Sequence, residues 1–274
     1  MINGEPIGVF DSGVGGLSVL REIRLLLPEE DLLYVADSGY APYGDRSTQF
    51  IGNRAEAIVE FLLRERVKAV VVACNTVTAV AIQTLRARFA VPIVAIEPAV
   101  KPAVAVTRSG VIGILATTQT LASEHFARLA EKYGSGVQIL RQACPGLMEQ
   151  VEKADLLGPE TEVLIKRYVS PLLAQDADTL VLGCTHYPFL RATIRAIAGP
   201  TVVIIDPAVA VARELRRRLV TRENLSSQGK PGTERFWTSG DLTPVQSVVA
   251  GLWGKNVEVR SLPSTFLRPS AADR

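Results

Sequence analysis

The chain has 274 residues, 47% of them hydrophobic and 21% charged, with a formal net charge of +2. That length supports two compact domains or one large one, and the near-neutral balance leaves no footprint for a polyanion such as nucleic acid. No apolar stretch reaches the about 18 residues of a membrane span, and three cysteines are too few, and odd in number, for a disulfide framework, which fits a reducing cytoplasm. The stretch Met1 to Val9 lacks a basic n-region and an apolar h-region, so a signal peptide is not expected.

Apolar strand-like runs alternate with amphipathic helix-like stretches, the pattern of α/β architecture with parallel sheet. Ile7 to Phe10 reads as a strand leading into the glycine-rich turn Asp11-Ser12-Gly13-Val14-Gly15-Gly16. Leu17, Leu20, Ile23 and Leu27 then recur at helical spacing until Pro28 stops them. Leu32 to Ala36 is a second strand, and Ser47 to Arg66 a helix with Ile51, Ala55, Ile58 and Leu62 on one face. Lys68 to Ala73 is a third strand ending at Cys74, and Val91 to Ile96 follows a helix that stops near Phe89.

The order then restarts. Ile112 to Thr117 mirrors Ile7 to Ser12, and Val137 to Leu140 mirrors Leu32 to Val35. Leu180-Val181-Leu182-Gly183-Cys184 answers Val70-Val71-Val72-Ala73-Cys74. Ile205-Asp206-Pro207-Ala208-Val209 answers Ile96-Glu97-Pro98-Ala99-Val100. Parallel strands share apolar letters because both their faces are buried, but that does not account for the paired cysteines, the acid-Pro-Ala-Val pair or the Ile-Gly starts. The chain reads as an internal duplication: two pseudo-symmetric, doubly wound parallel-sheet α/β domains with an active site in the cleft between them. Ligands of such sheets bind beyond the carboxyl ends of strands, where both cysteines fall. Arg235 to Thr238, a Pro244 to Trp253 helix and Val257 to Ser261 form a last β-α-β piece returning to the first half, after a polar loop from Leu225 to Thr233. The expected limits are 1–98 plus 208–270 for the first domain and 99–207 for the second. Arg216-Arg217-Arg218 reads as a solvated helix face.

Cys74, Cys144 and Cys184 are far apart and only His125 and His186 are present, so the close ligand pairs of structural zinc are missing, and so is a C-x-x-C redox pair. No metal is expected. Gly13 to Gly16 lies where a phosphate-cradling turn would, but Ser18 breaks the dinucleotide spacing and Asp11 would repel a pyrophosphate. The same turn suits a small zwitterion, with backbone donors, Ser12, and Asp11 for an ammonium group. A free thiol has a pKa of about 8.5, lowered at helix N-termini, and Cys74 and Cys184 each end a strand where a helix is expected to start. Two thiols from facing halves can take a proton from one side of a carbon acid and return one to the other side. Cys144, followed by Pro145 and outside the repeat, reads as a buried apolar-like thiol.

Gly8 to Leu17, Pro42-Tyr43-Gly44, Ala73 to Thr76 and Gly183 to Pro188 resemble the signature blocks of bacterial glutamate racemase, in the cofactor-independent aspartate/glutamate racemase superfamily. The blocks keep the family's order from Ile7 to about Leu219. The resemblance implies interconversion of L- and D-glutamate without a cofactor, supplying D-glutamate for peptidoglycan, in a cytoplasmic homodimer. It implies Cys74 and Cys184 as the proton-transfer pair, Cys74 serving the D-enantiomer and Cys184 the L-enantiomer. Asp11, His186 and Glu152 would assist. Asp11, Ser12, Tyr43, Gly44, Asn75, Thr76, Thr185 and His186 would bind substrate, and Asp37 matches a supporting acid. Glu149 and Gln150 depart from a block that is usually apolar in its middle. Thr117 joins the site through internal symmetry, as the counterpart of Ser12, and also reads as a helix cap. Two alternatives remain: a sister racemase acting on aspartate or a hydantoin, and a catalytically silent two-lobed binding protein.

Overall fold

The structure, a computed structural model, describes residues 4–227 and 229–267. Met1, Ile2 and Asn3 of the N-terminal stretch, Gln228 in the expected polar loop and the domain limit expected at residue 270 lie outside the described residues. The first half runs β1 (Ile7–Asp11), α1 (Leu17–Leu26), β2 (Leu32–Ala36), α2 (Thr48–Arg64), β3 (Ala69–Val72), α3 (Asn75–Arg88) and β4 (Ile93–Ala95). After α4 (Val100–Val106) come β5 (Val111–Ala116), α5 (Thr118–Ala122), α6 (Glu124–Tyr133), β6 (Gln138–Ala143), α7 (Leu147–Glu152) and α8 (Pro159–Leu173). The second half closes with β7 (Thr179–Gly183), α9 (Arg191–Ala198), β8 (Val203–Ile205) and α10 (Ala208–Thr221). β9 (Glu234–Thr238), α11 (Leu242–Trp253) and β10 (Val259–Ser261) end the described chain, with 3₁₀ turns at 38–40, 43–45, 187–190 and 264–266.

Every strand pairing is parallel, in two sheets ordered β10-β9-β2-β1-β3-β4 and β6-β5-β7-β8. The order β2-β1-β3-β4 is thus repeated as β6-β5-β7-β8, and β1, β2, β3 and β7 are buried along their whole length. The repeated Ile-Gly starts have a packing cause. A Cβ on Gly8 would press on Leu62 of α2 at 3.0 Å, and one on Gly113 would press on Leu172 of α8 at 2.8 Å. In each half a crossover helix seats a leucine over the glycine of the central strand. A continuous apolar core joins the halves, running from Leu20 and Ile23 of α1 through Leu215 of α10 to Leu180 and Leu182 of β7. Each such fully buried side chain is worth about 1.5–3 kcal/mol relative to exposure.

Differences from the expected elements fall mainly at ends. The second helix starts after Ser47, whose hydroxyl accepts from Phe50 N, and stops at Arg64 because Arg66 turns left-handed at φ 60°. The strand expected over Val137 to Leu140 extends through Ala143, and the one over Val91 to Ile96 shortens to three residues. The last helix begins at Leu242, before Pro244, a residue the first helical turn tolerates. Among the described residues no helix is long and apolar enough to cross a membrane.

Asp178 fixes the start of β5 from outside. Its carboxylate accepts from Thr107 Oγ1 at 2.6 Å, Arg108 N at 2.6 Å, Ser109 N at 2.8 Å and Thr179 Oγ1 at 2.9 Å. Burial opposes its charge, but these donors outweigh burial and bring the pKa down to about 2 from 3.8. A carboxyl depressed on folding contributes stability above its unfolded value, and that stability fades as pH falls toward the folded value. Asp178→Ala therefore lowers the urea midpoint at pH 7, and the gap to the parent chain narrows as pH falls from 4 toward 2. A gap that is constant across that range contradicts the assignment.

Candidate active site

Both thiols leave the carboxyl ends of equivalent strands and line one small, closed-in cavity. Cys74 occupies the N-cap position of α3, so its sulfur sits at the positive end of a 14-residue helix. Cys184 differs. It is succeeded by Thr185, His186 and a 3₁₀ turn over Tyr187–Leu190, and the α-helix expected there begins only at Arg191, with Pro188 in the intervening turn. The two thiols are therefore alike in strand position and unlike in the backbone that leads away from them.

The surroundings deepen the asymmetry. Cys74 is buried and its Sγ lies 3.7 Å from Ser12 Oγ; burial first, then the charge of Asp11, push this thiol far above the ordinary cysteine value. Cys184 Sγ lies 3.6 Å from His186 Nδ1, and His186 Nε2 lies 2.7 Å from Glu152 Oε1. Burial alone would lower the pKa of His186. The hydrogen bonds with Cys184 and Glu152, and the charges of both, outweigh burial and hold the imidazole well above its ordinary 6.5. Glu152 also accepts from Val14 N at 2.7 Å and from Ser38 Oγ at 3.4 Å, so the last residue of α7 ties the second half to the first half's glycine turn. The polar Glu149 and Gln150 leave this geometry intact. Gln150 is buried, while Glu149 lies with Pro42 and Met148 along an adjoining cavity.

Ser12, Tyr43, Gly44, Asn75, Thr76, Thr117, Thr185 and His186 all line the cavity of the thiols, as their motifs imply. Asp11 and Glu152 do not. Asp11 lies one layer behind, fully buried, accepting from Gly16 N at 2.7 Å and Thr185 Oγ1 at 3.1 Å. Its carboxyl is raised by burial, against the opposing pull of His186 and the Cys74 thiol. Gly16 N and Thr185 Oγ1 both reach Oδ2, while Oδ1 has only Ser12 Oγ at 3.4 Å.

Asn75 is 3% exposed, and neither its side-chain oxygen nor its nitrogen has a partner. Buried amides are nearly always paired, so an orphan facing this cavity marks a place for a polar ligand. Thr117 meets both of its readings. It caps α5 by accepting from Thr120 N at 3.3 Å, and its Oγ1 lies 3.1 Å from Thr76 Oγ1 across the cleft. Tyr43 is a different case. Its hydroxyl donates to Asp37, while Tyr43 and Gly44 line the cavity, with Gly44 against Thr117. Asp37 itself is fully buried and paired with Arg54, and it is not among the residues lining the cavity of the thiols.

One contributor has no signal in the motifs. Met148 lines the cavity. Cys144 N donates to Ala116 O at 3.1 Å just as Asp37 N donates to Asp11 O at 3.0 Å. Carrying the repeat through the second strand pair would have placed Met148 opposite the Pro42–Gly44 loop. Cys144 stays structural, with Sγ 3.3 Å from Gln142 O.

The model of the Asp/Glu/hydantoin racemase family matches residues 7–215. A glutamate racemase of Methylococcus capsulatus is 53% identical over 264 residues, covering 96% of this chain and 97% of that protein. A glutamate racemase of Pseudomonas aeruginosa is 50% identical over 262 residues, covering 95% and 98%. Among solved structures, a glutamate racemase isoform of Bacillus anthracis superposes with a TM-score of 0.88 at 34% identity, covering 96% of this chain and 98% of that one. A glutamate racemase of Francisella tularensis in complex with D-glutamate superposes at 0.83 with 28% identity and the same coverage. With its duplicated sheets, its paired thiols and these similarities together, the chain belongs to the Asp/Glu/hydantoin racemase family.

Proposed function

We propose that this chain interconverts L- and D-glutamate by moving the Cα proton between Cys184 and Cys74. The observation that carries the reading is the pair of thiols on equivalent strands, lining one cavity with unlike partners. The His186 ring, with Nδ1 3.6 Å from Cys184 Sγ, is placed to exchange a proton with that sulfur, while Cys74 is held as a thiol by burial and by Asp11. The resting pair is therefore a base on one side and an acid on the other. Cys184 takes the proton from L-glutamate as Cys74 delivers one to the opposite face, and the return reaction starts from the reversed protonation state.

The weak Cα–H acid needs its developing negative charge stabilised by fixed donors. The unpartnered Asn75 amide and the N-terminus of α3 are the groups available for this. Thr76, Thr185 and Ser12 complete the grip on the amino and carboxylate groups, and the backbone of Tyr43–Gly44 faces the distal carboxylate. Asp11, His186 and Glu152 tune the thiols. We place the described residues of 1–98 plus 208–270 in one lobe and 99–207 in the other. The family resemblance adds a homodimer in the cytoplasm, feeding D-glutamate to peptidoglycan.

Incubating the reduced protein with L-glutamate in D₂O, with no pyridoxal or metal added, tests this. The circular dichroism of the amino acid decays to zero as deuterium enters Cα. A folded, reduced protein that leaves both unchanged contradicts the reading. Exchange into aspartate but not glutamate moves it to the sister activity.

A further inference from the structure

Arg54 is a charged residue on the buried face of α2, between Ile51 and Ile58, and it is 1% exposed. Its guanidinium grips Asp37 with two N–H donors, Nε to Oδ2 at 3.0 Å and Nη2 to Oδ1 at 2.7 Å. Nη1 donates to the carbonyl of Phe266 at 2.8 Å, and the ring of Tyr40 lies 4.1 Å from the guanidinium carbon. Asp37 in turn accepts the hydroxyl of Tyr43. None of these polar groups lines the cavity of the thiols, yet Tyr43 and Gly44 do. The chain of contacts therefore runs from the C-terminal 3₁₀ turn, through Arg54 and Asp37, to the wall of the cavity that Tyr43 and Gly44 form.

We propose that Arg54 is a positioning residue for substrate recognition: through Asp37 and Tyr43 it sets the depth of the 42–45 loop, and so the reach of the site to the distal carboxylate. This deepens the glutamate reading above and rests on it for the identity of the carboxylate. A planar fork that spends two donors on one carboxylate and a third on a carbonyl from another segment cannot be reproduced by lysine, whose ammonium is a point charge on a flexible stem. Loops carry recognition because a rigid scaffold places them, and here the scaffold is α2 with the 264–266 turn, where Phe266 also packs edge-on against Phe61 at 5.5 Å. The partners of the thiols, Ser12 and His186, belong to other segments than the 42–45 loop, so the effect falls on binding rather than on proton transfer.

The test uses the full-length chain and two variants. Arg54→Lys keeps the charge and breaks the fork; Tyr43→Phe keeps the ring and removes the hydroxyl link. In each, KM for glutamate rises about tenfold or more while kcat stays within about threefold of the parent. Backbone amides of 39–46 exchange hydrogen faster, while those of β1 and β3 do not. An unchanged KM with unchanged exchange in 39–46 overturns the proposal, as does a fall in kcat with KM fixed. Should Arg54→Lys fail to fold, Tyr43→Phe decides by the same two readouts. A parent chain without turnover overturns the glutamate reading instead, and the exchange measurement still decides whether Arg54 holds the loop.

Discussion

Replacing either paired cysteine by alanine lowers racemisation by roughly a thousandfold or more, with the fold unchanged. General acid–base groups contribute about 10²–10⁴ each, and residues acting as one unit lose most of their joint effect when either is removed. The structure adds that the two losses are of different kinds. In Cys74→Ala the sulfur beside His186 remains, with Glu152 still holding the ring, so a base survives without an acid opposite it. In Cys184→Ala the surviving sulfur is the one that burial and Asp11 keep protonated, so an acid survives without a base. Both cysteines are buried, and alanine differs from cysteine by one sulfur, so near-parental melting temperatures are expected. Racemisation retained at near-parental rate in either variant contradicts the two-thiol account.

The second large effect comes from a residue that touches no substrate. A Cβ on Gly15 would overlap the His186 ring, whose Nδ1 is the atom facing Cys184. The glycine is needed because the turn after β1 must pass close under the imidazole. Gly15→Ala pushes the ring off both Cys184 and Glu152 and costs about a hundredfold in turnover, within the range of one misplaced acid–base partner. The pH profile separates this from a folding defect. In the parent, His186 is raised well above 6.5, so the imidazolium persists through neutral pH. The rate starting from L-glutamate falls only as pH rises through that elevated value. In Gly15→Ala the supporting hydrogen bonds are lost and the alkaline limb moves down toward the ordinary value. A variant with parental turnover and an unmoved limb contradicts the relay.

The sheets were legible because buried parallel strands announce themselves as runs such as Val70-Val71-Val72, and because the Ile-Gly starts and the two cysteines repeat in order. Where the reading missed, the cause was tertiary. Cys184 carries the same strand ending as Cys74, but Pro188 turns the next segment into 3₁₀ structure. Asp11 was legible as an acid beside the glycine turn; what was not legible is that Gly16 N and Thr185 Oγ1, the latter from a distant segment, both bind its Oδ2 and hold it behind the cavity lining. Arg54 stands among core positions of its helix, a signal visible in the sequence, yet its partners come from Asp37 and from Phe266. Periodicity reports which face is buried; it does not report what a buried charge meets there.

The division of labour between the thiols is tested most directly by isotope exchange in Cys74→Ala. The variant is incubated in D₂O separately with L- and with D-glutamate, and deuterium and configuration at Cα are followed together. One surviving base on one face exchanges one enantiomer without inverting it; with Cys184 serving the L-enantiomer, deuterium enters L-glutamate, its configuration is retained, and D-glutamate stays protonated. Deuterium entering both enantiomers at similar rates, or inversion accompanying exchange, would show that the two faces are not served by separate thiols.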